Sequence, residues 1–299
     1  MLWAVCLVGA VVVGVHAQGG SSPAMLWTVT DGSGSTAYLL GSIHTLTPDV
    51  YPLPAAMDEA LAQSKVLVEE TLLDDASDPA LAMQMLSKAA LPQGATLESL
   101  ISPQQYAQVT ALADMSGFPM TMLRQLKPWM VAILLSTATL TQAGYDPAKG
   151  IDRYFFDKAR AAGMPVRALE SVEYQIGRLD GLATDDQVLL LTEMVSEADA
   201  LVRSVGAMVQ AWRVGDADGL ASLLRPSMTT VQGLEERLLI ERNRAWVPHI
   251  ERCVRERQGC LVVVGAGHLV GRDSVVALLQ ARGLTVRQHG VPAPAPAVR

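Results

Sequence analysis

Two histidines end short phrases of one type, Gly41-Ser42-Ile43-His44 and Gly265-Ala266-Gly267-His268. Each phrase follows an apolar, strand-like run, Ala37-Tyr38-Leu39-Leu40 in one case and Leu261-Val262-Val263-Val264 in the other. A histidine just past a buried strand, on a turn opened by glycine, can offer its ring to a cleft, and glycine lets backbone approach a ligand closely. Carboxylates recur at the same kind of place: Glu69-Glu70 end the apolar run 65–70, and Glu170 follows the short run 165–169. Ligands of open sheets gather outside the C-terminal ends of strands, so these four endings are expected to converge. Two imidazoles with one or two carboxylates suit one divalent transition metal that keeps a position open for water. Such an ion would acidify its water and polarise a carbonyl, the chemistry of hydrolysis. Without a metal, the same groups form a general acid–base pair. The structural alternatives are strand-end histidines that only brace the backbone, and a Glu170 that caps a helix beginning near Ser171. Glu69 and Glu70 are adjacent, so strand alternation points them to opposite faces. One is expected in the site and the other in solvent.

Periodicity gives the elements that must position these groups. Residues 25–30 alternate and reach the turn cluster Asp31-Gly32-Ser33-Gly34, which predicts a hairpin with residues 36–43. Residues 53–63 read as a helix and 65–70 as a buried strand. From 79 to 140 the pattern is helical and rich in Met and Leu, with breaks at Pro and Gly; Ser102 before Pro103 is a good N-cap. A helix over 151–162 stops at Gly163, and a short strand follows over 165–169. Helices dominate from 171 to about 258. A strand over 261–266, a helix over about 270–282 and a last strand over 284–289 complete the pattern. The fold class is therefore α+β with α/β-like character: a small mixed sheet carrying a large helical insertion, in a single domain over 18–290. The Pro/Ala phrase over 291–299 reads as a disordered tail.

Half of the 299 residues are hydrophobic and 18% are charged, the composition of a folded, apolar-rich protein. The net charge of −7 argues against nucleic acid as a partner. Residues 1–17 read as a signal peptide, with an uncharged apolar run over 2–15 and Val15-His16-Ala17 before a cleavage point at Gln18. That run is shorter than the roughly 20 residues of a spanning helix. The product is expected to be exported, periplasmic or secreted, with no stable membrane anchor after cleavage. Removal of the segment leaves Cys253 and Cys260. A disulfide clamping a helix end to the next strand is the first expectation in an oxidising compartment; free thiols or a metal pair are the alternatives.

The ordered set of phrases resembles the TraB/GumN family, which includes PrgY-type pheromone-shutdown proteins and the TIKI metalloproteases. The resemblance runs through Leu26-Trp27, Tyr38 to His44, the strand with Glu69, Leu126-Lys127-Pro128-Trp129 and Gly150-Ile151-Asp152. It continues through Leu169 to Gln175, Glu241 to Trp246 and Val264 to Leu269. It implies an erythromycin-esterase/ChaN-like core and, for the TIKI branch, metal-dependent proteolysis with manganese or cobalt; zinc is an alternative ion. Carried over, His44, His268 and Glu69 would be metal ligands. Glu69 would be a ligand or general base and Arg242 a positioning or oxyanion-stabilising cation; with Glu170 from the strand-end reading, Glu69 and Arg242 make up the candidate catalytic set. The family pattern places an acid two positions after the strand-end Glu, where this chain has Thr71. Arg242 also reads as an i, i+4 stacking partner of Trp246. Trp129, Asp152 and Gln175 match the pattern in packing and capping roles. The expected function is an exported metal-dependent hydrolase, a peptidase acting on a peptide or other small extracytoplasmic substrate. The rivals are a non-catalytic protein that binds or sequesters a peptide or saccharide, and a metal-free hydrolase.

Overall fold

A computed structural model of the chain describes residues 23–74 and 79–292. The expected signal peptide, and the tail from 293 onward, lie outside the described residues. The chain opens with the expected hairpin, β1 (Leu26–Thr30) and β2 (Thr36–Ser42). Next come α1 (Ala55–Ala62), β3 (Val66–Glu69), α2 (Pro79–Ala89), α3 (Pro103–Met115), α4 (Met120–Leu123), α5 (Pro128–Gln142) and α6 (Ile151–Ala161). β4 (Val166–Ala168) leads into α7 (Val172–Asp180), α8 (Thr184–Ser196), α9 (Ala198–Arg213), α10 (Ala217–Thr229) and α11 (Glu241–Arg255). β5 (Cys260–Gly265), α12 (Val275–Ala281) and β6 (Thr285–Gln288) close the chain.

The strands form one mixed sheet in the order β4-β3-β5-β2-β1-β6, which bears out the α+β class. β4, β3, β5 and β2 run parallel, whereas β1 pairs antiparallel with β2 and β6. The reason is legible in the side chains. β3 and β5 are unbroken apolar runs, and Leu261, Val262, Val263 and Val264 are buried almost completely. Strands of that kind need cover on both faces, the situation of interior parallel strands. Parallel pairing sets the C-terminal ends of β2, β3, β4 and β5 along one edge. In that register Ser42 lies opposite Gly265, so the two Gly-His phrases leave the sheet side by side.

The helical insertion has its own apolar cluster around Trp129, Val131, Leu135, Val109 and Leu191, apart from the larger core on the sheet. The Ser102 cap holds as expected: its hydroxyl accepts from the Gln105 N–H, and the Gln105 side chain accepts from the Ser102 N–H. The helix expected from about 270 begins only at Val275. Gly271 turns the backbone to φ 86°, and Ser274 caps the new start through the Ala277 N–H. Ahead of α11 the backbone widens into a π-helical turn, Glu236–Ile240, a form often found beside functional sites.

Cys253 and Cys260 form the expected disulfide, their Cα atoms 5.8 Å apart, and join the last turn of α11 to the first residue of β5. Both elements carry site residues, so the bridge fixes the helix against the strand. Replacing both cysteines by serine is expected to lower the unfolding free energy by about 2 kcal/mol, read from urea midpoints without reductant. Among the described residues, no helix is long and apolar enough to cross a membrane.

Candidate functional site

His44 stands two residues past the end of β2, and the turn that carries it is tied to the start of α6. The Ile151 N–H donates to the Ile43 carbonyl at 3.1 Å. A Cβ on Gly150 would fall 2.5 Å from the His44 carbonyl oxygen, so only glycine permits this approach. The contact brings Asp152 beside the ring, with Oδ1 3.3 Å from His44 Nδ1: close enough to pair electrically, though not aligned as a full hydrogen bond. Protein packs closely around the imidazole, yet the side chain opens on a cleft and is 62% exposed. Burial opposes its charge, but Asp152 and the field of Glu70 outweigh that and raise its pKa to about 9.

Behind this histidine lies a buried network centred on Arg242. Its Nη2 donates to Glu70 Oε2 at 2.6 Å and Glu170 Oε1 at 2.7 Å, and Nε donates to Glu170 Oε1 at 3.0 Å. Nη1 donates to the Leu238 carbonyl at 2.9 Å and faces His268 Nε2 at 3.0 Å. All five guanidinium N–H bonds are thereby engaged, and none remains for a developing oxyanion. The guanidinium carbon lies 4.6 Å from the Trp246 ring centre, so the stacking read from the i, i+4 spacing is present as well.

His268 is held from both sides. Asn243 Nδ2 donates to the Asp273 carbonyl at 2.9 Å, which turns the amide oxygen toward His268 Nδ1 at 2.7 Å. Nδ1 therefore carries the proton, and Nε2 accepts from Arg242. Burial, aided by Arg242 and His44 against the pull of Glu70, holds the pKa of His268 down at about 4 and keeps the ring neutral. Glu70 accepts from the Gly265 N–H at 2.6 Å and from Gln175 Nε2 at 2.9 Å, besides Arg242. Burial disfavours its charge, but His268, His44, Arg242 and the Gly265 N–H together hold it at about 2. A Cβ on Gly265 would sit 3.1 Å from Glu70 Oε1, and 3.6 Å from both His44 Nε2 and His268 Cδ2. The two imidazoles are therefore no more than twice that last distance apart at these atoms. Glu170 is not a helix cap: Ser171 caps α7 through the Tyr174 N–H, while the Glu170 carboxylate is buried against Arg242 and Trp246 Nε1.

The expectation that Glu69 or Glu70 is solvated fails. Glu69 is 2% and Glu70 8% exposed, because β3 lies inside the sheet with both faces covered. Among the described residues, neither oxygen of Glu69 has a hydrogen-bond partner. Burial, together with Asp152, Asp157 and Glu70, pushes its pKa up to about 8. Folding thus keeps Glu69 protonated where the unfolded chain has released the proton, and stability contributed by this neutral form drains away as pH rises from the ordinary carboxylate range through about 8. Glu69→Gln is expected to stabilise the protein relative to wild type by up to about 5 kcal/mol at pH 9 and by little at pH 5, measured by urea unfolding.

The metal implied by the resemblance would draw on His44, His268 and Glu69. Both nitrogens of His268 are committed, however, and a guanidinium stands 3.0 Å from Nε2, where an ion would have to be. The carboxylate beside His268 is Glu70, at 3.8 Å, whereas Glu69 faces the polar side of the cleft. As arranged, these residues do not fit a shared ion. Among the described residues, no group of three or more His, Cys, Asp or Glu is placed to hold one.

The cleft has two lobes. A polar lobe of about 740 Å³ is lined by Glu69, Asp152, Arg153 and Asp157. An apolar lobe of about 600 Å³ is lined by Ile176, Leu179, Met208, Leu224 and Leu239. They share Ser42, His44, Glu70 and Gln175. The buried Ser42 hydroxyl at this junction has no hydrogen-bond partner among the described residues. Sequence reasoning missed Ser42 and Asn243, and read Asp152 and Gln175 as capping or packing residues. Gly150 was the available signal for Asp152, since an obligatory glycine marks a close approach; for Asn243 the signal was its place beside Arg242 in the matched phrase Glu241 to Trp246.

Comparison with known proteins agrees with the resemblance. The profile of the TraB/PrgY/gumN family matches residues 25–288. The chain is 26% identical over 244 residues to the uncharacterized protein YbaP of Shigella flexneri, covering 82% of this chain and 88% of that one. It is 26% identical over 243 residues to YbaP of Escherichia coli K12, covering 81% and 87%. An uncharacterized protein of Treponema pallidum is 23% identical over 273 residues, covering 87% of this chain and 81% of its own. No solved structure matches the chain significantly.

Proposed function

We propose that this chain, which belongs to the TraB/PrgY/gumN family, is an exported hydrolase of peptide bonds whose acid–base group is His44. The observation that carries this reading is the contrast between the two imidazoles. His268 is neutral, buried and bonded at both nitrogens, whereas His44 opens on the cleft and, among the described residues, has no hydrogen bond at Nε2. Neutral His44 takes a proton from water as its oxygen attacks the amide carbonyl carbon. The imidazolium, stabilised by Asp152, then gives that proton to the leaving nitrogen as the C–N bond breaks. Ser42, at the junction of the lobes, has a hydroxyl free to donate to the carbonyl oxygen. Arg242, Glu70, Glu170 and Asn243 are positioning residues that hold the cleft floor. The disulfide suits an oxidising compartment outside the cytoplasm.

The test is digestion of a defined peptide mixture, read by mass spectrometry, once with chelator and once with added Mn²⁺. Fragments in both arms are expected. Cleavage only with Mn²⁺ would restore the metal-dependent reading, and intact peptide in both arms would leave the binding protein. The working form of His44 is the neutral one, so kcat/KM is expected to rise with pH with a midpoint near 9. Asp152→Asn removes the charge that raises this pKa. The midpoint is then expected to fall toward the usual 6.5, by about one unit or more. An unmoved profile would remove Asp152 from the mechanism.

A further inference from the structure

Two features of the cleft bear on what it holds, and neither is used by the acid–base chemistry. The first is Glu69. A carboxyl group 2% exposed, with no hydrogen-bond partner at either oxygen among the described residues, is an uncommon thing to keep in a fold, because an unsatisfied buried acceptor costs about 1–3 kcal/mol. It lines the polar lobe beside Asp152, whose Oδ1 is paired with His44 at 3.3 Å. The cation of that lobe, Arg153, is drawn to Asp157 at 2.9 Å. With Glu70, Asp152 and Asp157 set against Arg153 and His44 the lobe is net acidic, and among the described residues both Glu69 oxygens are left without a donor. The second feature is the opposite lobe, walled by α7, α9 and α10 with Ile176, Leu179, Met208 and Leu224, and large enough for a sizeable aliphatic or aromatic group.

We infer that the substrate of this cleft is an amide with a primary ammonium on one side of the scissile bond, met by Glu69, and a bulky apolar group on the other, seated in the lobe between α7, α9 and α10. The inference rests on the hydrolase reading for the word amide, but the two recognition elements stand without it. His44, Ser42 and Glu70 lie where the lobes meet, so a molecule anchored at both ends would cross them with its central bond. An ammonium supplies donors to the unpartnered Glu69 oxygens, and its charge matches the acidic lobe.

Binding is tested apart from turnover, by calorimetric titration of hexylamine, hexanol and propylamine into the intact protein. Hexylamine is expected to bind about tenfold more tightly than either of the others, since it alone has both an ammonium and a long chain. Glu69→Gln should remove the preference over hexanol and leave hexanol itself unchanged. Leu224→Gln should weaken hexylamine without affecting propylamine. Equal affinities for hexylamine and hexanol in the wild type overturn the ammonium site without reliance on any variant, and equal affinities for hexylamine and propylamine overturn the apolar seat. In the turnover arm, N-acetylation of a cleaved peptide should reduce kcat/KM about tenfold. If nothing is cleaved but hexylamine binds with the stated preference, the hydrolase reading fails and the recognition stands. If peptides are cleaved with no regard to acetylation and hexylamine shows no preference, the recognition fails alone.

Discussion

Arg242→Met is expected to lower the unfolding free energy by about 3–5 kcal/mol, the usual result of taking one partner from a buried charge cluster. The size follows from what is left behind. Glu70 and Glu170 both lie within 2.7 Å of the guanidinium, and their side chains are only 10% and 5% exposed. Methionine keeps an unbranched apolar side chain in place of the arginine stem, so the loss chiefly reports charge and hydrogen bonding. The His268 and Leu238 acceptors lose their donor in the same step. Arg242→Lys keeps the charge but cannot present five N–H bonds in a fixed fork, so an intermediate loss is expected. Adding Glu70→Gln and Glu170→Gln to Arg242→Met should recover part of the stability, because the stranded charges disappear. Urea unfolding at neutral pH measures all of these. A loss below about 1 kcal/mol for Arg242→Met would show that the network holds nothing together.

His44→Ala is expected to reduce kcat about 10²–10⁴-fold while leaving stability within about 1 kcal/mol. The side chain is open to the cleft, and an ion pair so exposed as that with Asp152 contributes little to folding. His268→Ala should do the reverse in part. It strands the oxygen of Asn243 and one N–H of Arg242 in the interior, so it costs about 2 kcal/mol or more of stability and disturbs activity through the distorted floor. Kinetics and unfolding curves for the two variants therefore separate a working histidine from a bracing one. Equal effects on both measurements in both variants would mean that the two Gly-His phrases play one role.

The convergence of the four strand ends was legible because parallel interior strands announce themselves as unbroken apolar runs, and such strands share one edge. His44, Glu69, Glu70, Glu170 and His268 all arrive where that argument puts them. The division of labour among them was not legible. Whether an imidazole is free or held depends on what a distant helix brings to it, and the face of α11 that carries Arg242 and Asn243 is fixed by packing against β5 and β2 in three dimensions. Asp152 looked like an ordinary helix-start acid because its partner lies on another segment. The assumption that one of two adjacent glutamates must face water failed for the same reason. It holds for an edge strand or a half-exposed sheet, and β3 is neither.

The placement of β5 between β3 and β2 also sets a schedule. The ribosome delivers β2 and β3 long before the strand that must separate them, so until residue 265 has emerged neither has its central neighbour. β6, the last strand, then pairs with β1 near the start of the described chain. Contacts of such long sequence separation make for slow folding. The cleft, whose floor needs the end of β5, is therefore among the last parts of the molecule to be completed.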